Sequence, residues 1–176
     1  MTMPRRVNLL SYPPHARLRA CEQAWVELED AYAVNVIRQG LKLSWVPDLD
    51  PENPTEGFRF KWGRNPPDLP DVVESLIGDM LKTGSVVLVN KSFLKACSSI
   101  FAIPKAGSDK WRLITNLRNI NEFLVTETFK LPSLNNISTY LIPGWWAGKI
   151  DLTNAYGHLP ISERDIPYMG FRFKDQ

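Results

Sequence analysis

Two strand-like segments separated by a short polar turn constrain the fold of this chain more than any other feature. The residue period changes from helical to strand-like before Ser98 to Pro104, and a second strand-like segment follows at Lys110 to Asn116. Gly107-Ser108-Asp109 lies between them, and glycine with small polar residues in a short connection favours a tight reversal of the chain. The sequence therefore predicts a β-hairpin whose turn carries Lys110.

Helical and irregular segments surround this hairpin. Apolar residues near helical spacing predict a helix from Leu18 to Gln39 that stops at Gly40, and a second helix that is capped by Asp68 and ended by Gly84. Prolines make Val46 to Pro70 a long connection. Shorter predicted elements are strands at Phe58–Lys61, at Val86–Val89, just before Asp151 and at Met169–Phe173, and helices at Leu117–Phe123 and Ser133–Leu141.

Length and composition indicate a globular chain with a real core. It has 176 residues, of which 44% are apolar and 11% aromatic, and this argues against disorder. The sequence contains no apolar run of the roughly eighteen residues that a membrane span needs, so we expect an intracellular protein, cytoplasmic or nuclear, with no membrane partner. Cys21 and Cys97 stand alone and are interpreted as free, buried thiols.

The net charge of +2 conceals an uneven distribution of charged residues. Acidic residues dominate between Ala20 and Gly57, whereas cations dominate between Lys91 and Arg118, where Asp109 is the acid among them. Phosphate groups would be attracted to the second block. An ordinary solvated surface is the alternative interpretation, and the count of charges does not decide between them.

Asp151 is the candidate metal-binding residue. It follows an apolar run that includes Trp145 and Trp146, and its carboxylate offers the hard oxygen that Mg²⁺ prefers. A capping aspartate at a strand end is the alternative. Tyr156, five positions later, suits a nucleotide pocket or a core position. The two tryptophans could stack on bases but are more often core residues in such a run, and His158 is interpreted as structural.

Several segments resemble reverse transcriptases, in particular retrotransposon enzymes of the DIRS-like or Ty3/gypsy-like kind. Ile103 to Ile114 resembles the fingers hairpin of this family, and Asn116 to Asn121 resembles its connection from fingers to palm. Lys130 to Leu134 is similar to the "YPLP" helix entry, and Asp151 to Ile161 is similar to "DLxxAYxHIPI". The order and spacing of these segments agree over about residues 68 to 176.

The resemblance implies an α+β fold that comprises the fingers and partial palm of a right-hand polymerase. Residues 1–67 would form an N-terminal arm, helix and proline-rich connection, residues 68–130 the fingers, and residues 131–176 a partial palm with the first catalytic motif. The implied activity is RNA-directed DNA polymerisation. Its implied partners are an RNA/DNA primer-template and deoxynucleoside triphosphates, and its implied cofactor is Mg²⁺, with two ions in the intact enzyme.

The resemblance also implies roles for individual residues. Asp151 would be catalytic and bind both metal ions, and the carbonyl of Leu152 would assist one of them beside the nucleotide. Tyr156 would exclude the 2′-hydroxyl of a ribonucleotide, so that deoxynucleotides are the implied substrate. Four cations complete the implied set, with Lys105 and Arg112 on the triphosphate and Lys110 and Arg118 on the nucleic acid.

The sequence departs from the family pattern after Asp151. It contains neither the Leu-Pro-Phe-Gly segment nor the Tyr-x-Asp-Asp motif, and Glu163, Asp165 and Asp175 lie where the family has a solvent-facing loop and a strand. We therefore expect a truncated enzyme that binds Mg²⁺ weakly, is inactive alone and exchanges amide protons rapidly from residue 149 to residue 176. Its further partner would be the remainder of a polyprotein. The alternatives are a non-enzymatic nucleic-acid-binding remnant and a protein-docking remnant of a retroelement.

Overall fold

The protein has an α+β fold, as predicted. The computed structural model describes residues 12–47, 50, 60–131, 133–138, 140–146, 148, 151 and 155–174. Among these residues, helices are α1 (Pro14–Ala20), α2 (Glu22–Glu27), α3 (Ala31–Gln39), α4 (Val72–Lys82), α5 (Arg118–Asn121) and α6 (Leu134–Ser138). The strands are β1 (Cys97–Pro104), β2 (Trp111–Asn116) and β3 (Gly170–Phe171), with 3-10 turns at Lys91–Phe93, Ala155–His158 and Ile166–Tyr168.

The predicted hairpin is confirmed and forms the centre of a small sheet with the order β2-β1-β3. β1 and β2 are antiparallel, in a register that pairs Ser99 with Asn116 and Pro104 with Trp111. The turn is closed by the N–H of Lys105, which donates to the carbonyl of Lys110 at 2.7 Å. β3 pairs parallel with the start of β1, so the predicted strand at Met169–Phe173 is confirmed in a shorter form.

Helix α4 covers one face of the hairpin. Val73 and Ile77 are buried on this helix and pack with Ile100 of β1, which is fully buried. The predicted helix and its apolar face are therefore confirmed. The predicted cap is wrong, because the helix begins later than expected and its N-cap position is occupied by Asp71, whose side chain makes no capping hydrogen bond.

A second core lies between the proline-rich connection and the segments that follow the hairpin. Trp45, Phe60, Ala96 and Ile120 are its buried members. The Trp45 ring lies 4.8 Å from that of Tyr168, and the Phe60 ring lies 5.3 Å from that of Phe123, centroid to centroid. Aromatic rings at such distances bury much apolar area and add a small specific attraction. This core therefore joins residues that are far apart in the sequence.

The predicted long helix from Leu18 to Gln39 is wrong in one respect, because it is divided into α1, α2 and α3. Glu29 has a positive φ of 56°, which an α-helix does not accommodate. Asp30 then accepts a hydrogen bond from the N–H of Ala33 at 2.9 Å, as an N-cap does. The capping aspartate starts a new helix, and the predicted stop at Gly40 is confirmed.

Other short predictions have mixed outcomes. The strand predicted at residues 86–89 is wrong, because these residues form no strand, and Val87 and Leu88 are exposed. The helices predicted after the hairpin are confirmed in shortened form as α5 and α6. Phe60 and Lys61 are not in a strand, and the other half of that predicted strand lies outside the described residues, as does the strand predicted before Asp151.

Residues 160–171, for which the sequence predicts rapid amide exchange, have backbone hydrogen-bond partners. The N–H of Ser162 donates to the carbonyl of Leu41 at 3.0 Å, and the N–H groups of Asp165 and Tyr168 donate to the carbonyls of Ser162 and Asp165 at 2.9 Å and 3.0 Å. The strand pairing of β3 with β1 secures the end of this region. We therefore expect slow amide exchange there, in contrast to the rapid exchange predicted from the sequence.

Candidate nucleic-acid interface

The β-hairpin places the predicted cations on an open surface. Because side chains alternate along a strand, the burial of Ile100 against α4 puts Phe101 and Ile103 on the opposite face of the hairpin. Arg112 is the register partner of Ile103 and shares that open face. Lys105 and Lys110 lie next to it at the turn, joined by their backbone hydrogen bond.

Lys105, Lys110 and Arg112, the hairpin cations, are exposed and form no ion pair with any carboxylate in the described part of the chain. Some exposed cations have acidic partners, namely Arg38 with Glu22 at 2.7 Å, Lys82 with Asp79 at 3.2 Å and Lys174 with Glu74 at 2.7 Å. Others, such as Lys42, Lys61 and Arg64, form no ion pair with a carboxylate among the described residues. The positive charge of the hairpin is therefore available to an external anion.

Apolar side chains lie between these charges. Phe101 and Ile103, on the same face as Arg112, are 37% and 39% exposed. A surface that interleaves cations with partly exposed aromatic and aliphatic groups can contact both the phosphates and the bases of a nucleic acid.

Arg118 lies at the other end of the hairpin from the turn. It is the first residue of α5, immediately after β2, and its N–H donates to the side-chain oxygen of Asn116 at 3.3 Å. A strand of this length spans roughly 20 Å, at about 3.3 Å per residue. Arg118 is exposed, so the predicted cations extend along the hairpin from its turn to its base.

Asp151 and Tyr156 lie on the surface. Asp151 is exposed, and Tyr156, in the 3-10 turn Ala155–His158, is 93% exposed, so the core interpretation of Tyr156 is wrong. Leu152 lies outside the described residues. No hydrogen bond or ion pair among the residues that the structure describes connects Asp151 or Tyr156 to the hairpin cations.

A complete metal site is not formed by the described residues. They contain no group of three or more histidine, cysteine, aspartate or glutamate side chains placed to hold an ion. Asp151 offers one carboxylate, whereas Mg²⁺ in a catalytic site is held by several oxygen ligands. The described geometry therefore does not fit a bound Mg²⁺ ion, and Asp151 stays a candidate ligand on sequence grounds.

The tryptophans before Asp151 are also exposed. Trp146 has a relative exposure of 101% and Trp145 is largely exposed, so the interpretation of both as core residues is wrong. They follow Gly144, whose φ of +89° is one that glycine adopts readily, in a turn of the chain.

Asp165 is the most buried charged residue in the described part of the chain, although the sequence placed it in a solvent-facing loop. Its relative exposure is 0%. One carboxylate oxygen accepts from the hydroxyl of Ser162 at 2.6 Å and from the N–H of Leu43 at 2.9 Å, and the other accepts from the indole N–H of Trp45 at 2.8 Å. A serine three positions before an acid is a capping pattern, and this was the available sequence signal.

The environment of Asp165 favours its charged form. Burial by itself raises the pKa of this carboxyl, but the hydrogen bonds from Ser162, Leu43 and Trp45, together with the positive charge of Arg164, outweigh it and lower the pKa below its usual value. The Nε of Arg164 lies 3.4 Å from the carboxylate, and its Nη1 lies 3.3 Å from Asp50. Asp165 is therefore an ionised, fully hydrogen-bonded structural residue.

The comparisons with known proteins point to retroelements. The chain is 34% identical over 93 residues to the Gag-Pol polyprotein of Walleye dermal sarcoma virus, covering 49% of this chain and 5% of that polyprotein. It is 24% identical over 103 residues to the retrovirus-related Pol polyprotein from transposon opus of Drosophila melanogaster, covering 56% of this chain and 10% of that protein.

No family model and no solved structure matches the chain. Within the described residues, no helix has both the length and the apolar character that crossing a membrane requires. The two polyprotein similarities support a protein derived from a retroelement.

Proposed function

We propose that this chain is the fingers and first palm part of a reverse transcriptase and that its hairpin binds the phosphates of nucleic acid and nucleotide. The observation that carries the proposal is the arrangement of Lys105, Lys110 and Arg112 on one hairpin without acidic partners among the described residues. The similarity to Pol polyproteins and the order of the motifs in the sequence support it. Residues 68–130 would be the fingers and residues 131–176 the palm part.

The chemistry of the hairpin cations suits phosphate. Arg112 has a planar guanidinium that can donate two parallel hydrogen bonds to a phosphate, whereas Lys105 and Lys110 act as compact point charges at the turn. Exposed charges contribute mainly through release of counterions, which makes binding sensitive to salt. Arg118, at the base of the hairpin, would extend the contact along a nucleic-acid strand.

Nucleotide selection and catalysis belong to the same proposal but have a different basis. Asp151 would supply one metal ligand, with the carbonyl of Leu152, and Tyr156 would lie against the sugar of a deoxynucleotide. These assignments are supported by the similarity of Asp151 to Ile161 to the family motif. Since the described residues do not form a metal site, we assign binding to this chain and expect it to incorporate no nucleotide by itself.

Binding to a primer-template at several salt concentrations tests the proposal. The logarithm of the affinity should fall with the logarithm of the salt concentration, at a slope of roughly −0.9 per phosphate neutralised. The triple variant Lys105→Gln, Lys110→Gln, Arg112→Gln should flatten that slope by up to about 2 to 3 units.

A matched control removes the same number of charges elsewhere. Lys42→Gln, Lys61→Gln, Arg64→Gln changes two lysines and one arginine that are also exposed and form no ion pair with a carboxylate among the described residues. This control should retain most of the affinity and the salt slope. If both triple variants lose the same affinity, net charge rather than the hairpin holds the nucleic acid. Binding without any incorporation by a longer polyprotein that contains this chain would favour a non-enzymatic remnant.

A further inference from the structure

The segment before the proline-rich connection lies directly against the segment that carries Tyr156. We name residues 40–46 the leader strap. Leu41 of the strap forms a parallel bridge with Ile161, in which the N–H of Leu41 donates to the carbonyl of Pro160 at 2.8 Å. The N–H of Ser162 donates to the carbonyl of Leu41 at 3.0 Å. These contacts lie a few residues after the Ala155–His158 turn.

Asp165 attaches the same strap a second time. Its carboxylate accepts from the backbone N–H of Leu43 and from the indole N–H of Trp45, both on the strap. Arg164 adds a third contact, because its Nη2 donates to the carbonyl of Leu43 at 2.9 Å. Three polar groups of the strap, the N–H and carbonyl of Leu43 and the indole N–H of Trp45, therefore contact the adjacent residues Arg164 and Asp165, about 120 positions later in the chain.

The geometry leaves little freedom between strap and turn. Gly40 approaches the backbone of Ile161 and Ser162 so closely that an added Cβ would lie 2.6 Å from atoms of both residues. At the other end, helix α1 packs against the Ala155–His158 turn. The Ala155–His158 turn thus contacts α1, and the residues that follow it, Pro160 to Ser162, are hydrogen-bonded to the backbone of the strap.

We infer that Asp165 is a positioning residue, which acts through the leader strap to fix the turn that carries Tyr156. A buried carboxylate with these donors has one favourable arrangement, because any displacement of the strap leaves polar groups without partners in a buried site. The position of the Pro160–Ser162 ladder, and with it the end of the Ala155–His158 turn, follows from that arrangement. The contact of Tyr156 with a nucleotide rests on the proposed function. The effect of Asp165 on the position of the Ala155–His158 turn does not.

Hydrogen exchange and amide NMR of the full chain test the coupling without nucleic acid. Asp165→Asn keeps the size of the side chain but removes the charge and an acceptor for Ser162, Leu43 or Trp45. We expect exchange of the Leu41 and Ser162 amides to accelerate by about tenfold or more, with displaced resonances for Tyr156 and Gly157. Amides paired between β1 and β2 should change by less than about twofold, because local opening leaves that unit intact.

Glu163→Gln is the matched control, since it removes one exposed carboxylate two positions before Asp165. It should leave the exchange rates and the Tyr156 and Gly157 resonances unchanged. Trp45→Phe is the second variant if Asp165→Asn does not fold, because it removes the indole N–H that Asp165 accepts while a smaller ring stays in the core.

Two results would overturn the inference. One is equal acceleration of exchange in the strap and in the β1–β2 hairpin, which would reduce Asp165 to a contributor to global stability. The other is a change confined to Leu43 and Trp45 with unmoved Tyr156 and Gly157 resonances. Either outcome leaves the proposed function untouched, since nucleic-acid binding is measured separately with the hairpin variants.

Discussion

Replacing Gly40 by alanine should destabilise the protein strongly, although alanine adds one methyl group. Gly40 has φ +80° and ψ 160°, in a region that residues with a Cβ essentially do not occupy. The added Cβ would also lie 2.6 Å from the carbonyl carbon of Ile161 and 2.6 Å from the nitrogen of Ser162. Both contacts involve backbone, so neither can be relieved by rotating a side chain.

The expected loss of stability has two contributions, backbone strain at Gly40 and the hydrogen bonds that the added Cβ would break. Backbone strain in this region costs about 1–3 kcal/mol, and separating the strap from Ile161 would lose two backbone hydrogen bonds at about 1 kcal/mol each. We expect a loss of at least about 3 kcal/mol in the free energy of unfolding, the lower end of this sum. For a chain of this size, that corresponds to a melting temperature lowered by roughly 6–12 °C.

Urea denaturation of Gly40→Ala and Gly78→Ala measures the effect against a control. Gly78 lies within α4, and nothing is within 4 Å of a Cβ added there. Alanine at that position should stabilise the protein by about 0.5–1 kcal/mol, because glycine is the poorer helix former. The two substitutions should thus have opposite signs. A Gly40→Ala protein as stable as the wild type would refute the described contact between the strap and Ile161.

Three further outcomes are expected. The pKa of Asp165 is lowered in the folded state, although burial alone raises it. The ionised carboxylate therefore stabilises the fold fully above the unfolded-state pKa, and this stabilisation is lost as the pH falls through the folded-state pKa. Urea titrations should show the free energy of unfolding declining below about pH 4, less steeply in Asp165→Asn. Burial raises the pKa of the Cys97 thiol against the opposing charge of Arg172, so a thiol reagent at neutral pH should modify the half-buried Cys21 first; equal rates would contradict the burial of Cys97. In an active Pol polyprotein containing this chain, Tyr156→Val should admit ribonucleotides in primer extension, and unchanged sugar selectivity would remove Tyr156 from the pocket.

Local features were predictable from the sequence. The hairpin depends on alternation and a glycine-containing turn, and α4 depends on apolar spacing before Gly84, so both are determined within a few consecutive residues. The division of the predicted helix Leu18–Gln39 into separate helices also has a local cause, at Glu29 and Asp30. It was missed because apolar spacing alone does not register that aspartate favours the start of a helix over its middle.

The burial of Asp165 could not be predicted in the same way. A charged residue in a polar segment is exposed in most proteins, and the exception requires donors that arrive from elsewhere. Here those donors are the N–H of Leu43 and the indole of Trp45, about 120 residues earlier. The Ser162 pattern indicates a local cap but says nothing about the strap. Only the tertiary structure shows that the two segments form one unit.

The same distinction separates the two halves of the candidate site. Lys105, Lys110 and Arg112 are brought together by one turn and one strand register, so their proximity follows from local structure. A metal site at Asp151 instead requires carboxylates that converge from separate segments, and the described residues form no group of three or more such ligands. Phosphate binding can therefore be a property of this chain's hairpin alone. Catalysis at Asp151 would depend on ligands that other segments supply.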